Sequence, residues 1–386
     1  MYKNDSNIIY MDYMSTTPIA PEVVDAMIPY LRSNFGNSGS KNSLGYTAKE
    51  AIEIARKQVS DAVGAEPEQI IFTSGATESI NLAIKGSADF YAHSGKHIIT
   101  LTTEHAATLA ACRYLEKKNF KITFLEPDSH GILSSKKLAS ALTPETTLIS
   151  VCHVNNEIGV IQDVADLVKV AEQNGALLHL DAAQSVGKTR LNLVESKVAM
   201  ASLSAHKCYG PKGIGALYLR NNPKVHLTPN QHGGGQEQKL RSGTLPTHQI
   251  VGMGAAYELA HKNFSENIKH IRKLSEELRQ GLSNIPEVQF NGHDRKRVPH
   301  NLNVTFNNIP GDMLLNCLSS KMALSSGSAC NSHEITISHV LNEIGLTRDQ
   351  ANATIRYSLG NYTSKVDIER AINLTIETVR KLRELV

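Results

Sequence analysis

The 386-residue sequence contains five cysteines, at positions 112, 152, 208, 317 and 330, and no Cys-x-x-Cys pair. An odd, scattered set without that spacing argues against a disulfide framework and against a structural zinc site. Excess charge of either sign is missing too, since 40 Lys and Arg against 37 Asp and Glu leave a net charge of +3. That balance provides no electrostatic footprint for nucleic acid or an anionic membrane surface. No segment approaches the roughly 20 apolar residues that span a bilayer, and Met1-Tyr2-Lys3-Asn4-Asp5-Ser6 has no apolar core of the signal-peptide kind. The expectation is a cytoplasmic protein with reduced thiols, acting on small molecules or proteins. Repeats and low-complexity tracts are also absent, and the 41% hydrophobic, 20% charged composition is that of a globular chain.

What is present is an alternation of helical and strand patterns. Ala51, Ile52, Ala55, Val59 and Val63 mark a helix face ending at Gly64, and Ile80, Ala83 and Ile84 begin another. Short apolar runs at 70–73, 97–101, 121–125, 147–153, 176–181, 199–204 and 213–219 read as seven strands, mostly separated by helices. That is the texture of a buried, largely parallel sheet, with the last two strands close enough for a hairpin at one edge. After Gly254 one long helical pattern, through Ile268, Ile271, Leu274, Leu278 and Leu282, reads as a bridge. Beyond Pro286 strands such as 301–306 and 354–359 mix with helices. The predicted fold is α/β, with a large domain over residues 15–260 and a smaller α+β domain formed by 1–14 and 261–386.

Three stretches carry chemistry. Asp181 ends an apolar strand, where an ionised carboxylate is costly unless a cation meets it. Lys207, in Ser204-Ala205-His206-Lys207, sits at another strand end before a glycine-rich turn, and ligands of open α/β sheets bind beyond such ends. Aspartate on a pyridinium nitrogen together with a lysine is the pairing of a pyridoxal phosphate site. Thr73-Ser74-Gly75-Ala76-Thr77-Glu78-Ser79 then reads as the phosphate cradle, a strand and turn leading into a helix N-terminus. Taken singly, each has an ordinary structural role: a helix cap or ion pair for Asp181, a snorkelling lysine, a plain helix start. Ser185-Val186-Gly187-Lys188-Thr189 looks like the end of a nucleotide-binding P-loop, but Ala182 stands where that loop needs glycine.

Gly75-Ala76-Thr77-Glu78-Ser79, Thr103-Glu104-His105, Val154-Asn155-Asn156-Glu157-Ile158-Gly159, Asp181-Ala182-Ala183-Gln184, Ser204-Ala205-His206-Lys207, Arg241-Ser242-Gly243-Thr244 and Ser325-Ser326-Gly327-Ser328-Ala329-Cys330 occur in one order. In that order they resemble the cysteine desulfurases of the NifS/IscS type, pyridoxal phosphate enzymes of the class V aminotransferase family. The resemblance runs from about Tyr10 to the C-terminus. It implies fold type I, with a mostly parallel seven-stranded sheet, and removal of sulfur from L-cysteine to give L-alanine and a persulfide on Cys330. By the same resemblance Lys207 anchors the cofactor and moves the α-proton, Asp181 holds the ring nitrogen, and Gln184 reaches the ring hydroxyl. His105 stacks on the ring and acts in proton transfer. Ala76, Thr77, Ser204 and His206 take the phosphate, with Thr244 from a second subunit of a homodimer. Asn156 and Arg356 grip the substrate carboxylate, a contact that a guanidinium makes bidentate.

The resemblance also accounts for a cysteine among small polar residues, where no apolar stripe would bury it. A thiol that must reach the ring and then deliver sulfur to an acceptor protein, an iron-sulfur scaffold or a thiolation enzyme, suits a mobile loop. Some positions depart from the pattern. Gly36-Asn37-Ser38 lacks the family's proline, Asn42 stands where a histidine is common, and Cys208 occupies a place more often aliphatic. No scaffold-docking tail follows Leu385-Val386, which predicts weak docking of that kind. The rival readings are an aminotransferase or selenocysteine lyase of the same fold, to which Cys330 is dispensable, and a catalytically silent assembly scaffold.

Overall fold

The computed structural model describes residues 8–309, 311–326, 328–331 and 334–385, without the side chains of 311, 312, 328–331 and 334–337. The strands are β1 (Ile9–Tyr10), β2 (Ile70–Thr73), β3 (His97–Leu101), β4 (Lys121–Leu125), β5 (Thr146–Cys152), β6 (Leu177–Asp181), β7 (Met200–Ser204) and β8 (Gly215–Leu219), followed by β9 (Val288–Phe290), β10 (Asn301–Phe306), β11 (Met322–Ala323), β12 (Ser325–Ser326), β13 (Ser328–Asn331), β14 (Glu334–Ile337) and β15 (Thr354–Ser358). Seven of them make one sheet in the order β2-β8-β7-β6-β5-β3-β4, with β3 to β7 parallel and β8 antiparallel to both neighbours. The β7–β8 hairpin is as predicted, but it is not the edge, because β2 adds beyond β8. The outer side of β2 is covered in turn: Phe72 N–H donates to Glu237 and the Ile70 carbonyl accepts from Arg56. An edge strand closed in this way offers no free ladder to another chain.

Alternation along the strands builds two cores. Ile99, Ile149, Leu178 and Leu203 face the helices α2 (Ser43–Val63), α5 (Ser135–Ala141), α6 (Val164–Gln173) and α7 (Thr247–Lys262). Ile98, Leu148, Met200 and Leu217 face α3 (Ala76–Phe90) and α4 (Ala106–Glu116), while α1 (Pro21–Arg32) packs on α7. Burial of both faces explains why these strands read as continuous apolar runs. Helix α2 starts where Asn42 accepts the amide of Gly45 at 2.9 Å, and it stops at Gly64, whose φ of 62° ends the ladder.

A third core lies apart from that sheet. It joins α8 (Phe264–Ser283), α9 (Gly311–Ser319) and α12 (Lys365–Arg383) to Leu302, Val304, Ile355 and Tyr357 of a sheet ordered β12-β15-β10-β9, and it includes Ile9 and Met11. The long helical pattern after Gly254 is two helices, α7 and α8, because Asn263 leaves helical geometry at φ −97°, ψ 8°. The segment expected as a mobile loop contains β13, which pairs antiparallel with β14, so the backbone of Cys330 lies opposite that of Ile335. The β-branched run Ile335-Thr336-Ile337 favours such a ladder. Gly327, Ser332 and His333 and the side chain of Cys330 lie outside the described residues. Two short helices follow, α10 (His339–Glu343) and α11 (Arg348–Asn352).

Candidate active site

The parallel strands all deliver their carboxyl ends to one rim, and a cavity of about 610 Å³ opens there. Of the expected site residues whose side chains are described, all but Thr244 line it, and the side chain of Cys330 lies outside the described residues. Asp181 and Ser204 are the last residues of β6 and β7, and β3 ends just before the turn that leads to His105. Helix α3 enters after Gly75, so the amides of its first turn point at the cavity without intrahelical acceptors. The turn sits that low because β8 has glycine beneath it: a Cβ on Gly215 would lie 2.7 Å from Gly75 Cα.

Lys207 is nearly buried, and its Nζ donates to the carbonyls of Met14 and Ser15 at 2.8 and 2.7 Å. Burial first, then the charges of Lys188 and Arg356, push its ammonium down to about 7 against the pull of Asp12 and Asp181. Asp181 accepts the amide of Ala183 at 3.1 Å, and burial raises its carboxyl despite the nearby His105 and Lys207. Gln184 is held by its donation to the Met14 carbonyl, which leaves its buried Oε1 without a partner. His105 caps α4, its Nδ1 accepting the amide of Ala107 at 3.1 Å, so that Nε2 carries the ring proton. His206 binds Thr16 through Nδ1, and burial together with the Lys207 charge drops it to about 4, keeping it neutral.

Arg356 reaches the cavity from β15. It donates to the Asn156 carbonyl, to Asp12 at 2.7 Å and to the hydroxyls of Ser15 and Ser325, yet its buried Nε has no partner. Thr244 lies elsewhere, on a separate cavity of about 820 Å³ that it shares with Asn37, Tyr46 and Gln236. Sequence reasoning missed Asp12, Glu104, Cys152 and Lys188. Glu104 and Lys188 stood inside quoted motifs and Asp12 in none, and nothing in periodicity marks a carboxylate as an arginine partner. Among the described residues no His, Cys, Asp and Glu cluster could hold a metal ion.

This donor set fits one group. A helix N-terminus for a phosphate, a buried carboxylate for a ring cation, an orphaned amide oxygen for a hydroxyl and a neutral-leaning lysine surround one space, the site of a pyridoxal phosphate enzyme of fold type I. The chain matches the aminotransferase class-V family over residues 9–371, and it belongs to that family. It is 47% identical over 378 residues to the cysteine desulfurase IscS of Methylococcus capsulatus, covering 98% of this chain and 94% of that one. A cysteine desulfurase IscS of Photorhabdus laumondii is 48% identical over 380 residues, with the same coverages. Among solved structures, a NifS-like protein superposes with a TM-score of 0.92 at 35% identity, covering 97% of this chain and 100% of the other. A second, described as SspA in complex with cysteine, gives 0.82 at 39%, covering 92% and 99%.

Proposed function

We infer that this protein is a cysteine desulfurase. The observation that carries it is the single cavity in which Lys207, Asp181 and a partner-free Nε of Arg356 meet, in a chain so similar to cysteine desulfurases along nearly its whole length. Bound there, pyridoxal phosphate supplies the electron sink that acidifies the substrate α-proton and weakens its carbon–sulfur bond. Asp181 binds the ring nitrogen, Gln184 Oε1 takes the ring hydroxyl, and His105 covers the ring. Ala76 and Thr77 amides, the Thr77 and Ser204 hydroxyls and neutral His206 bind the phosphate. Arg356 Nε and Asn156 orient the carboxylate of L-cysteine.

Lys207 Nζ, low in proton affinity because it is buried, accepts the α-proton and returns it. The Cys330 thiolate attacks the substrate sulfur, the carbon–sulfur bond breaks, and the β-carbon takes up a proton. L-Cysteine and a thiol thus become L-alanine and a persulfide, with atoms and electrons balanced. The persulfide then passes to an acceptor protein, an iron-sulfur scaffold or a thiolation enzyme. Thr244 serves the phosphate of a second copy in a homodimer. Its place on a cavity separate from its own chain's site, and the exposure of Tyr46 in the lining of that cavity, support that role. The third core, apart from the two on the large sheet, supports folding as two domains, 15–260 and 1–14 with 261–386. No helix among the described residues is long and apolar enough to cross a membrane, and we place the protein in the cytoplasm.

Intact mass after brief exposure of the purified protein to L-cysteine without reductant, followed by peptide mapping, tests this. One added sulfur on the Cys330 peptide is expected. A yellow protein that gains no sulfur would be an aminotransferase or lyase instead.

A further inference from the structure

A lysine outside the expected set lies directly behind Lys207. Gly187, with φ 76°, turns the chain inward so closely that a Cβ there would lie 3.3 Å from the Sγ of Cys208. The turn carries Lys188 to 6% exposure, where its Nζ donates to the backbone carbonyl of Lys207 at 2.7 Å. Among the described residues no carboxylate pairs with it, and burial pushes its own ammonium down to about 8, so it carries its charge at neutral pH and loses it above. With Cys208, Tyr209 and His300 it lines a cavity of about 20 Å³. Nδ1 of the buried His300 has no hydrogen-bond partner, and burial with the Lys188 charge keeps that ring neutral. An ammonium with a single carbonyl acceptor and no counter-ion is expensive inside a protein. The one chemically committed group it touches is the residue that carries the site.

We propose that Lys188 is a positioning residue for Lys207: it fixes the carbonyl of the Lys207 turn and sets a positive charge behind the lysine that anchors the cofactor. The carbonyl contact orients the backbone from which the Lys207 side chain crosses to Met14 and Ser15. The charge favours the neutral amine, the form that joins the cofactor and accepts the α-proton. Arg356 acts in the same direction from β15, while Asp12 and Asp181 oppose it, so the amine is balanced between two cations and two carboxylates. His206, neutral and also facing Lys188 and Lys212, adds no charge. The motif that failed as a nucleotide-binding loop thus acquires a use, its lysine turned inward rather than toward a phosphate.

The role rests on Lys207 being the anchor. Holoenzyme of the natural sequence, Lys188→Met and Lys188→Gln is titrated across neutral and alkaline pH while the cofactor's visible absorbance is read, with thermal midpoints as the check on folding. The absorbance midpoint is expected to rise by about one pH unit in both variants, because a positive charge that Lys188 carries below about pH 8 is gone. Gln keeps a donor for the Lys207 carbonyl, so loss of cofactor on dialysis is expected to increase with Met and to change little with Gln. An unchanged midpoint in either folded variant overturns the proposal. Borohydride fixation followed by peptide mapping separates the two levels: cofactor mass away from the Lys207 peptide refutes the anchor itself, and with it this role.

Discussion

At the scale of single residues, Glu104 shows how burial decides chemistry. It is fully buried beside His105, one oxygen accepts the Cys152 amide at 2.7 Å, and the other has no partner. Burial, with Asp181 adding to it, pushes the carboxyl up to about 8, so the group is a neutral acid at pH 7. A raised folded pKa means that the folded state holds a proton the unfolded chain releases, so stability falls as pH rises from the ordinary carboxylate range to about 8. Glu104→Gln keeps the shape and the acceptor and is expected to flatten that decline. Thermal midpoints of both proteins across this window decide it, and parallel curves would refute a neutral Glu104. The sequence displayed Glu104 inside a motif but not its protonation, which depends on packing around it.

At the scale of elements, the strap at 237–244 is held by two ion pairs, Arg241 on Glu78 at 2.9 Å and Arg56 on Glu237. Glu237, Gln238 and Lys239 have φ of 47°, 57° and 69°, three successive left-handed residues without glycine, each costing about 1–2 kcal/mol. Offsetting this, Arg56 meets the buried Glu237 carboxylate at 2.8 Å and stacks over Phe72 at 4.7 Å, while Glu237 also caps the edge of β2. Arg56→Met leaves that carboxylate unpaired and is expected to cost about 3–5 kcal/mol, read from thermal or urea unfolding. Adding Glu237→Met should recover part of the loss; a double variant no better than the single one would show that the strap is held otherwise. The strands of this region were legible from apolar runs. The strap was not, because its conformation opposes local preference and is imposed by Arg56, 181 positions away.

At the scale of the whole molecule, the cavity gathers residues from Met14 to Arg356, from the rim of the large sheet and from β15 of the smaller one. A ligand that bridges such distant segments binds the folded chain far better than the unfolded one. Stripping the cofactor is therefore expected to lower the thermal midpoint by several degrees, and restoring pyridoxal phosphate to recover it. Identical midpoints with and without it would contradict the assembled site. The sequence by itself determined the strand-and-helix alternation, which follows from local periodicity, and most of the residues that line one cavity, because they lie in short contiguous motifs, several of them at strand ends. Only the tertiary structure decided that β2 lies outside β8, that Arg356 is shared with Asp12, that Thr244 lines a separate cavity, and that Lys188 points inward. Each of these depends on contacts between segments far apart in the chain, and the free energy of such contacts leaves no local pattern to read.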